Sequence, residues 1–307
     1  MSQLAAQPSV IIPTLNAAGH LPELLRALEA QSLQPLEIIL IDSSSEDSTR
    51  DIARQAGCRL EVIPREAFDH GGTRNQAARI ARGEILVFLT QDALPADGEF
   101  LQQLLEPLIT GAATASTARQ IASETASPLE VFSRQSSYPG HSRLGSLTAD
   151  TESGSTAITF SNAASAVKRT VFEQLGGFPE GLVVNEDMLF YTRLLRAGYT
   201  VAYRASAVVI HSHNFSLREQ FQRYFDIGCF MSQAEEELGD LQLGNRGLQF
   251  ALGQIAYLIR QRHWFWIPRS LFESCTKLLA YALGHFAYLL PASIAMHLSR
   301  QKSHWRT

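Results

Sequence analysis

Six polar residues in the first hundred positions share one kind of placement: Thr14, Asn16, Asp42, Arg74, Asn75 and Asp92. Each falls at or near the carboxyl edge of a sheet whose strands are short apolar runs. A nucleotide needs such groups, an amide or carboxylate for the base edge and an arginine for phosphate. A carboxylate opposite a diphosphate makes sense only with a divalent cation between the like charges, which marks Asp92 for Mg²⁺ or Mn²⁺. Singly, each residue is an ordinary turn or cap residue; the shared placement is what favours a ligand. Further along, Asn185-Glu186-Asp187 opens a helical pattern, and His211-Ser212-His213 follows the apolar run Val208-Val209-Ile210. The acids suit a helix N-terminus, with Asn185 as the cap, and equally suit a catalytic base.

The elements that must position these groups alternate. The central one is Ile85 to Leu89, apolar throughout, bounded by Gly83 and by the Asp92–Pro95 turn. A run apolar on both faces reads as an inner strand of a parallel sheet, and open α/β sheets bind ligands beyond the carboxyl ends of their strands. Upstream, Val10-Ile11-Ile12, Leu36 to Ile41 and Leu60 to Ile63 read as strands. The spacing of Leu21, Leu24, Leu25 and Leu28 predicts a helix from His20 to Gln31, and Asp47 or Ser48 starts another reaching Gly57. Thr73 is the expected cap of a helix reaching Arg82. Strands alternating with helices imply right-handed crossovers and a Rossmann-like half. Tyr138 to Ser155, rich in Ser, Gly and Thr, is expected to form a mobile lid.

Composition narrows the class. Twenty-six Lys and Arg against 30 Asp and Glu give a net charge of -4, no reason to expect nucleic-acid binding. Cys58, Cys229 and Cys275 are scattered, without a CxxC pair, and fit a reducing compartment. The N-terminal MSQLAAQPS lacks a basic start and an apolar core, so a cytoplasmic location is expected. Neither GxxxxGK[ST] nor GxGxxG follows the first strand, which weakens P-loop and dinucleotide readings.

Four stretches, VIIPTLNAAGHLPELLRAL, IDSSSEDST, GGTRNQAARIARGEILVFLTQDALP and NEDMLFYTRLLRAGY, together resemble the family 2 inverting glycosyltransferases of GT-A fold. FDHGGTRNQA and FLTQDALP are most similar to bacterial rhamnosyltransferases of O-antigen and exopolysaccharide assembly, enzymes of the cell envelope and its lipopolysaccharide. The resemblance implies that Thr14, Asn16 and Asp42 hold base and ribose, with Arg74 and Asn75 also on the nucleotide. The family's acidic Asp-x-Asp metal motif reads Thr90-Gln91-Asp92 here, so Asp92 is the carboxylate that remains. It further implies that Asp187 is the base that deprotonates the acceptor hydroxyl, that Glu186 orients acceptor or scaffold, and that His211 or His213 completes the metal shell. The donor would be a nucleotide sugar, dTDP-rhamnose by resemblance, and the acceptor a lipid-linked glycan. Two rivals are a metal-dependent nucleotidyltransferase, disfavoured by the absence of Lys and Arg from Pro13 to Gly19, and a silent sugar-binding scaffold.

The last segment changes character. Arg260, Arg262, Trp264, Trp266 and Arg269 interleave aromatics with positive charge, and Leu278 to Ser299 carries no formal charge. Such a pattern suits helices lying on a membrane, here the cytoplasmic face of the inner membrane. The chain is therefore expected to divide into a nucleotide-sugar half (1–110), an acceptor and catalytic half of the same domain (111–235), and a helical membrane-associating tail (236–307).

Overall fold

The computed structural model describes residues 7–146, 159–238 and 246–306. Residues 147–155 of the expected lid lie outside them. The described strands are β1 (Pro8–Thr14), β2 (Glu37–Asp42), β3 (Arg59–Val62), β4 (Ile85–Leu89), β5 (Leu94–Pro95), β6 (Ala115–Ile121), β7 (Arg143–Gly145), β8 (Ala164–Lys168) and β9 (Val201–Ile210). They form one sheet in the order β3-β2-β1-β4-β8-β6-β9-β5, with β7 also paired to β9. The block β3-β2-β1-β4 is parallel throughout. Beyond it β8 runs antiparallel to both β4 and β6, and β6 and β9 pair in parallel.

Helices α1 (Leu21–Glu29), α2 (Thr49–Gln55), α3 (His70–Ile80) and α4 (Phe100–Ile109) follow β1, β2, β3 and β5. The leucines that predict α1 are the ones it buries. Strand β4 is buried at all five positions. Its alternate residues serve two cores: Leu86 and Phe88 pack with Phe172, Phe178 and Phe190, while Val87 and Leu89 pack with α1 and α4. A strand walled by apolar layers on both faces must expose its polar chemistry at its end, which is where Thr90-Gln91-Asp92 sits.

One expected cap is displaced. Asp69, not Thr73, is the N-cap of α3; its Oδ1 accepts from the Gly72 N–H at 2.6 Å. Asp69 has the extended backbone that a cap needs, whereas Thr73 lies inside the helix and its Oγ1 accepts from the Asp69 N–H at 3.2 Å. The two residues cap the turn reciprocally.

The described residues fall into two compact units. The first comprises the described residues within 7–121, 138–180 and 186–211 and holds the whole sheet with α6 (Arg169–Gln174) and α7 (Glu186–Arg196); the second comprises those within 122–137, 181–185 and 212–306. This differs from the division expected at 110 and 235. The second unit contains α5 (Pro128–Ser137), α8 (Leu217–Gln233), α9 (Arg246–Arg260), α10 (Ile267–His285) and α11 (Ala292–Leu298). Phe225 and Phe230 of α8, from the aromatic stripe, are fully buried there. Helices α8 and α10 approach closely at two glycines: a Cβ on Gly228 would strike the Tyr281 carbonyl, and one on Gly284 the Phe225 carbonyl. The backbone cannot yield locally on either side, so Gly228→Ala and Gly284→Ala should each destabilise the protein by about 1–3 kcal/mol. Urea denaturation reads this directly, and unchanged midpoints would mean that the helices can part at no cost.

Candidate active site

The loops after β1 and β2 are bound to each other through Asp42. This carboxylate is fully buried. Its Oδ2 accepts from Thr14 Oγ1 at 3.0 Å and from Ser45 Oγ, and its Oδ1 accepts from the Ser45 N–H at 2.8 Å. The β1–β2 register sets Thr14 directly opposite Asp42, which makes the first of these bonds possible. Ser45 Oγ in turn accepts from the Asn16 N–H at 2.8 Å, and Asn16 Oδ1 accepts from the Glu46 N–H at 2.9 Å. Asn16 and Ser44 both have left-handed backbone, φ 48° and 58°. Non-glycine residues hold that conformation only where surrounding bonds enforce it, and such residues concentrate at binding loops. Thr14, Asn16 and Asp42, expected together, are brought together.

Gln91 explains why the acidic motif has an amide in its middle. Its Oε1 accepts from the Leu15 N–H at 2.8 Å and its Nε2 donates to the Leu15 carbonyl at 3.2 Å. An ionised carboxylate could make the first bond but never the second. The side chain pairs with both main-chain groups of one residue and pins the β1 loop to the β4 loop. Asn75 does the same one layer away: its Oδ1 accepts from the Phe178 N–H and its Nδ2 donates to the Phe178 carbonyl, both at 2.9 Å.

Arg74 and Asn75, expected on the nucleotide, have their side chains committed inside the fold. Besides Phe178, Asn75 Nδ2 donates to Glu180 Oε1 at 2.9 Å. Arg74 is buried; its Nη1 donates to the His70 carbonyl at 2.8 Å and lies 3.2 Å from Glu186 Oε1. Sequence spacing showed a basic group near a sheet edge; the tertiary fold aims it at an acid.

That acid belongs to the second cluster. Asn185, expected as the cap of α7, has left-handed backbone, φ 62°, instead of the extended backbone of an ordinary N-cap. Glu186 is buried and Asp187 half-buried. Asn162, just before β8, bridges both: its Nδ2 donates to Glu186 Oε1 at 3.0 Å and its main-chain N–H to Asp187 Oδ2 at 2.9 Å. Sequence reasoning missed Asn162, whose signal was a polar residue at the mouth of an apolar strand. Burial raises the Glu186 pKa, but the Arg74 and His70 charges and the Asn162 bond outweigh it, so Glu186 stays below the usual carboxylate range. Burial, and next the Glu186 charge, push Asp187 up to about 7. Two adjacent acids thus divide into a fixed anion and a group that takes or gives a proton near neutrality.

At the other sheet edge, His211 leaves β9 with its Nε2 3.4 Å from Asp92 Oδ1. Its Nδ1 is 2.8 Å from Gln120 Oε1. An amide oxygen can only accept, so Nδ1 donates to it and Nε2 is the nitrogen that faces the Asp92 carboxylate. A carboxylate with an imidazole is a fitting donor pair for a divalent metal. Thr90 Oγ1, two residues before Asp92, is buried without a hydrogen-bond partner among the described residues. His213 falls in the second unit, where its N–H donates to Glu130 Oε1 at 3.3 Å and its ring stacks on Phe215.

The family model described as glycosyl transferase family 2 matches residues 9–176. The O-antigen chain rhamnosyltransferase RfbN of Salmonella typhimurium is 38% identical over 306 residues, covering 97% of this chain and 95% of that relative. WbaN of Salmonella anatum, also an O-antigen chain rhamnosyltransferase, is 37% identical with the same coverage. Among solved structures, a mannosyltransferase from Pyrobaculum calidifontis in complex with GDP-Man and Mn²⁺ superposes with a TM-score of 0.57 at 21% identity, over 97% of this chain and 82% of that one. S. aureus TarS 1–349 in complex with UDP gives 0.57 at 17% identity, over 92% and 91%. These two likenesses are likenesses of fold.

The Gln91 clamp can be tested apart from any activity. Gln91→Glu keeps the acceptor for the Leu15 N–H but sets a negative charge against its carbonyl. Stability at pH 7 should fall by about 1–3 kcal/mol, the cost of an unsatisfied and repelled acceptor. A thermal or urea midpoint equal to that of the native protein would show that the two loops hold without it.

Proposed function

The chain belongs to glycosyl transferase family 2 and is a glycosyltransferase of GT-A-like α/β fold, and from that premise we propose that it transfers rhamnose from dTDP-rhamnose, with inversion, to a lipid-linked O-antigen oligosaccharide. The sugar and the acceptor class are supported by the two relatives, aligned over nearly their whole length. The chemistry rests on one arrangement: Asp187, held by the Asn162 and Met188 main-chain N–H groups, sits beside Glu186, whose carboxylate lies 3.2 Å from Arg74 Nη1, and burial with the Glu186 charge raises the Asp187 pKa to about 7.

In this reading Asp187 takes the proton from the acceptor hydroxyl as that oxygen attacks the anomeric carbon. The new C–O bond forms while the bond from that carbon to the diphosphate oxygen breaks, so the nucleoside diphosphate leaves with the electron pair. A carboxylate of ordinary pKa is a weak base for an alcohol, and the raised value of Asp187 brings it closer to the task. Glu186, locked between Arg74 and Asn162, positions Asp187. Thr14, Asn16 and Asp42 build the pocket for base and ribose, with Gln91 holding its wall. Arg74 and Asn75 serve the nucleotide side through the loops they fix. Asp92 and His211 would hold Mg²⁺ or Mn²⁺. The ion would neutralise the departing diphosphate. The lipid-linked acceptor puts the enzyme at the cytoplasmic face of the inner membrane, as a peripheral protein; no described helix is long and apolar enough to cross a bilayer.

The pH profile carries the first test. Transfer needs Asp187 ionised, so kcat should fall about tenfold per pH unit below its pKa, with the limb near pH 7. Glu186→Gln removes the neighbouring charge and frees Arg74, both of which lower the Asp187 pKa, so the limb should move to lower pH. Asp187→Asn should abolish transfer while calorimetry still finds the donor bound. An unmoved limb in Glu186→Gln, or full activity in Asp187→Asn, would remove Asp187 from the role of base.

Metal removal is the second. EDTA and Asp92→Ala should each weaken binding of dTDP by about tenfold or more, and leave binding of thymidine nearly unchanged, because the carboxylate reaches the diphosphate only through a cation. His211→Ala should follow Asp92→Ala. Equal effects on nucleotide and nucleoside would count against the metal set.

A further inference from the structure

Helix α10 is built inside out. The side it turns into the second unit carries Ser270, Glu273 and Gly284, while the side it turns outward carries Leu271, Phe272, Leu278, Leu279 and Leu283. Phe272 is 69% exposed and Leu278 72%. The acid on the inner side is neutralised there: Glu273 pairs with Arg269 at 2.9 Å and with Lys277 at 3.6 Å. A helix of a soluble protein ordinarily orients the other way, apolar stripe inward. Just before α10, a short turn holds Trp264, Phe265 and Trp266, with Phe265 98% exposed. Contiguous exposure of large apolar side chains on this scale marks a docking face.

Charge identifies what the face meets. Residues 247–306 contain seven Lys and Arg and one acid, Glu273, in a chain whose net charge is -4. Arg260 and Arg262, next to the aromatic turn, are exposed, as are Arg300, Lys302 and Arg306. Apolar side chains bordered by exposed positive charge complement an anionic lipid surface, where tryptophan takes the headgroup boundary and arginine the phosphates. A second copy of the chain would set the same positive borders against one another.

We propose that the outward side of α10 and the turn Trp264–Trp266 form a single insertion surface that seats this protein in the headgroup layer of an anionic bilayer, α10 lying in the plane and Phe265 leading. This deepens, and rests on, the reading of a lipid-linked acceptor by naming the residues that enter the lipid.

Flotation of the full-length protein with vesicles of phosphatidylcholine, or of phosphatidylcholine with about 30 mol% phosphatidylglycerol, tests it. The native protein should float with the anionic vesicles, with its tryptophan emission shifted to the blue and quenched by brominated lipid. Phe265→Ser, and separately Leu278→Ser with Leu279→Ser, should each lower partitioning about tenfold. Arg260→Ala with Arg262→Ala should erase the preference for phosphatidylglycerol. These side chains are exposed, so melting temperatures should stay native; should one variant fail to fold, Phe272→Ser takes its place. Native protein that stays in solution, or variants that float as well as it does, would overturn the proposal. So would sedimentation equilibrium showing a dimer that the same variants dissociate, which would give the face to a second copy. Phe265→Ser should still release dTDP from dTDP-rhamnose in solution at the native rate. If the native protein floats but processes no nucleotide sugar, the functional reading fails and the docking surface stands.

Discussion

Two carboxylates adjacent in sequence and withdrawn from water cannot both remain ionised without a compensating charge, and the segments around Glu186 and Asp187 are arranged around that fact. Glu186 receives the compensation: a buried guanidinium at 3.2 Å and an amide N–H at 3.0 Å. Asp187 receives main-chain N–H donors from Asn162 and Met188 and, among the described residues, forms no ion pair. The asymmetry separates their titrations, as in other sites where one acid must stay charged while its neighbour handles a proton. Arg74 comes from α3 and Asn162 from the approach to β8, so the pair exists only when three separate chain segments have docked.

The same economy governs the loops. Carboxamides at 75 and 91 each satisfy both the N–H and the C=O of one residue, as a neighbouring strand would. Main-chain groups near a ligand site cannot be left unpaired without cost. Clamping them by side chains frees the loop from regular structure while keeping it rigid. At the same edge Thr90 stands where the family motif has its first carboxylate, and His211 is a neighbour that Asp92 faces.

The second unit follows another logic. Its helices meet at glycines, which let α8 and α10 approach by backbone, and it buries ion-paired polar groups while exposing apolar ones. Close helix contact and neutralised charge there stand beside an apolar interior that includes Phe225, Phe230 and Leu258.

Much of the first unit was legible in sequence because local pattern is its cause. Apolar runs of four or five residues, Ile38 to Ile41 before Asp42 and Ile85 to Leu89 before Thr90-Gln91-Asp92, and leucines at helical spacing define strands and helices before any long-range contact forms. Thr14, Asn16 and Asp42 were legible together for the same reason: parallel strands end on one edge, so residues after them converge. What each side chain does there was decided only in three dimensions. Thr14 and Asp42 bond to each other because strand register sets them opposite; Asn75 turns to Phe178, over a hundred residues away; Arg74 meets Glu186 and not open solvent. Asn162 showed only as a polar residue at the mouth of an apolar strand, and its bridge to Glu186 and Asp187 exists only in the fold. The extent of the second unit was hidden as well, since it is assembled from three separated stretches of chain. Periodicity reports which face of an element is apolar. Whether that face turns inward, as in α1, or outward, as in α10, depends on the partners the rest of the chain brings to it.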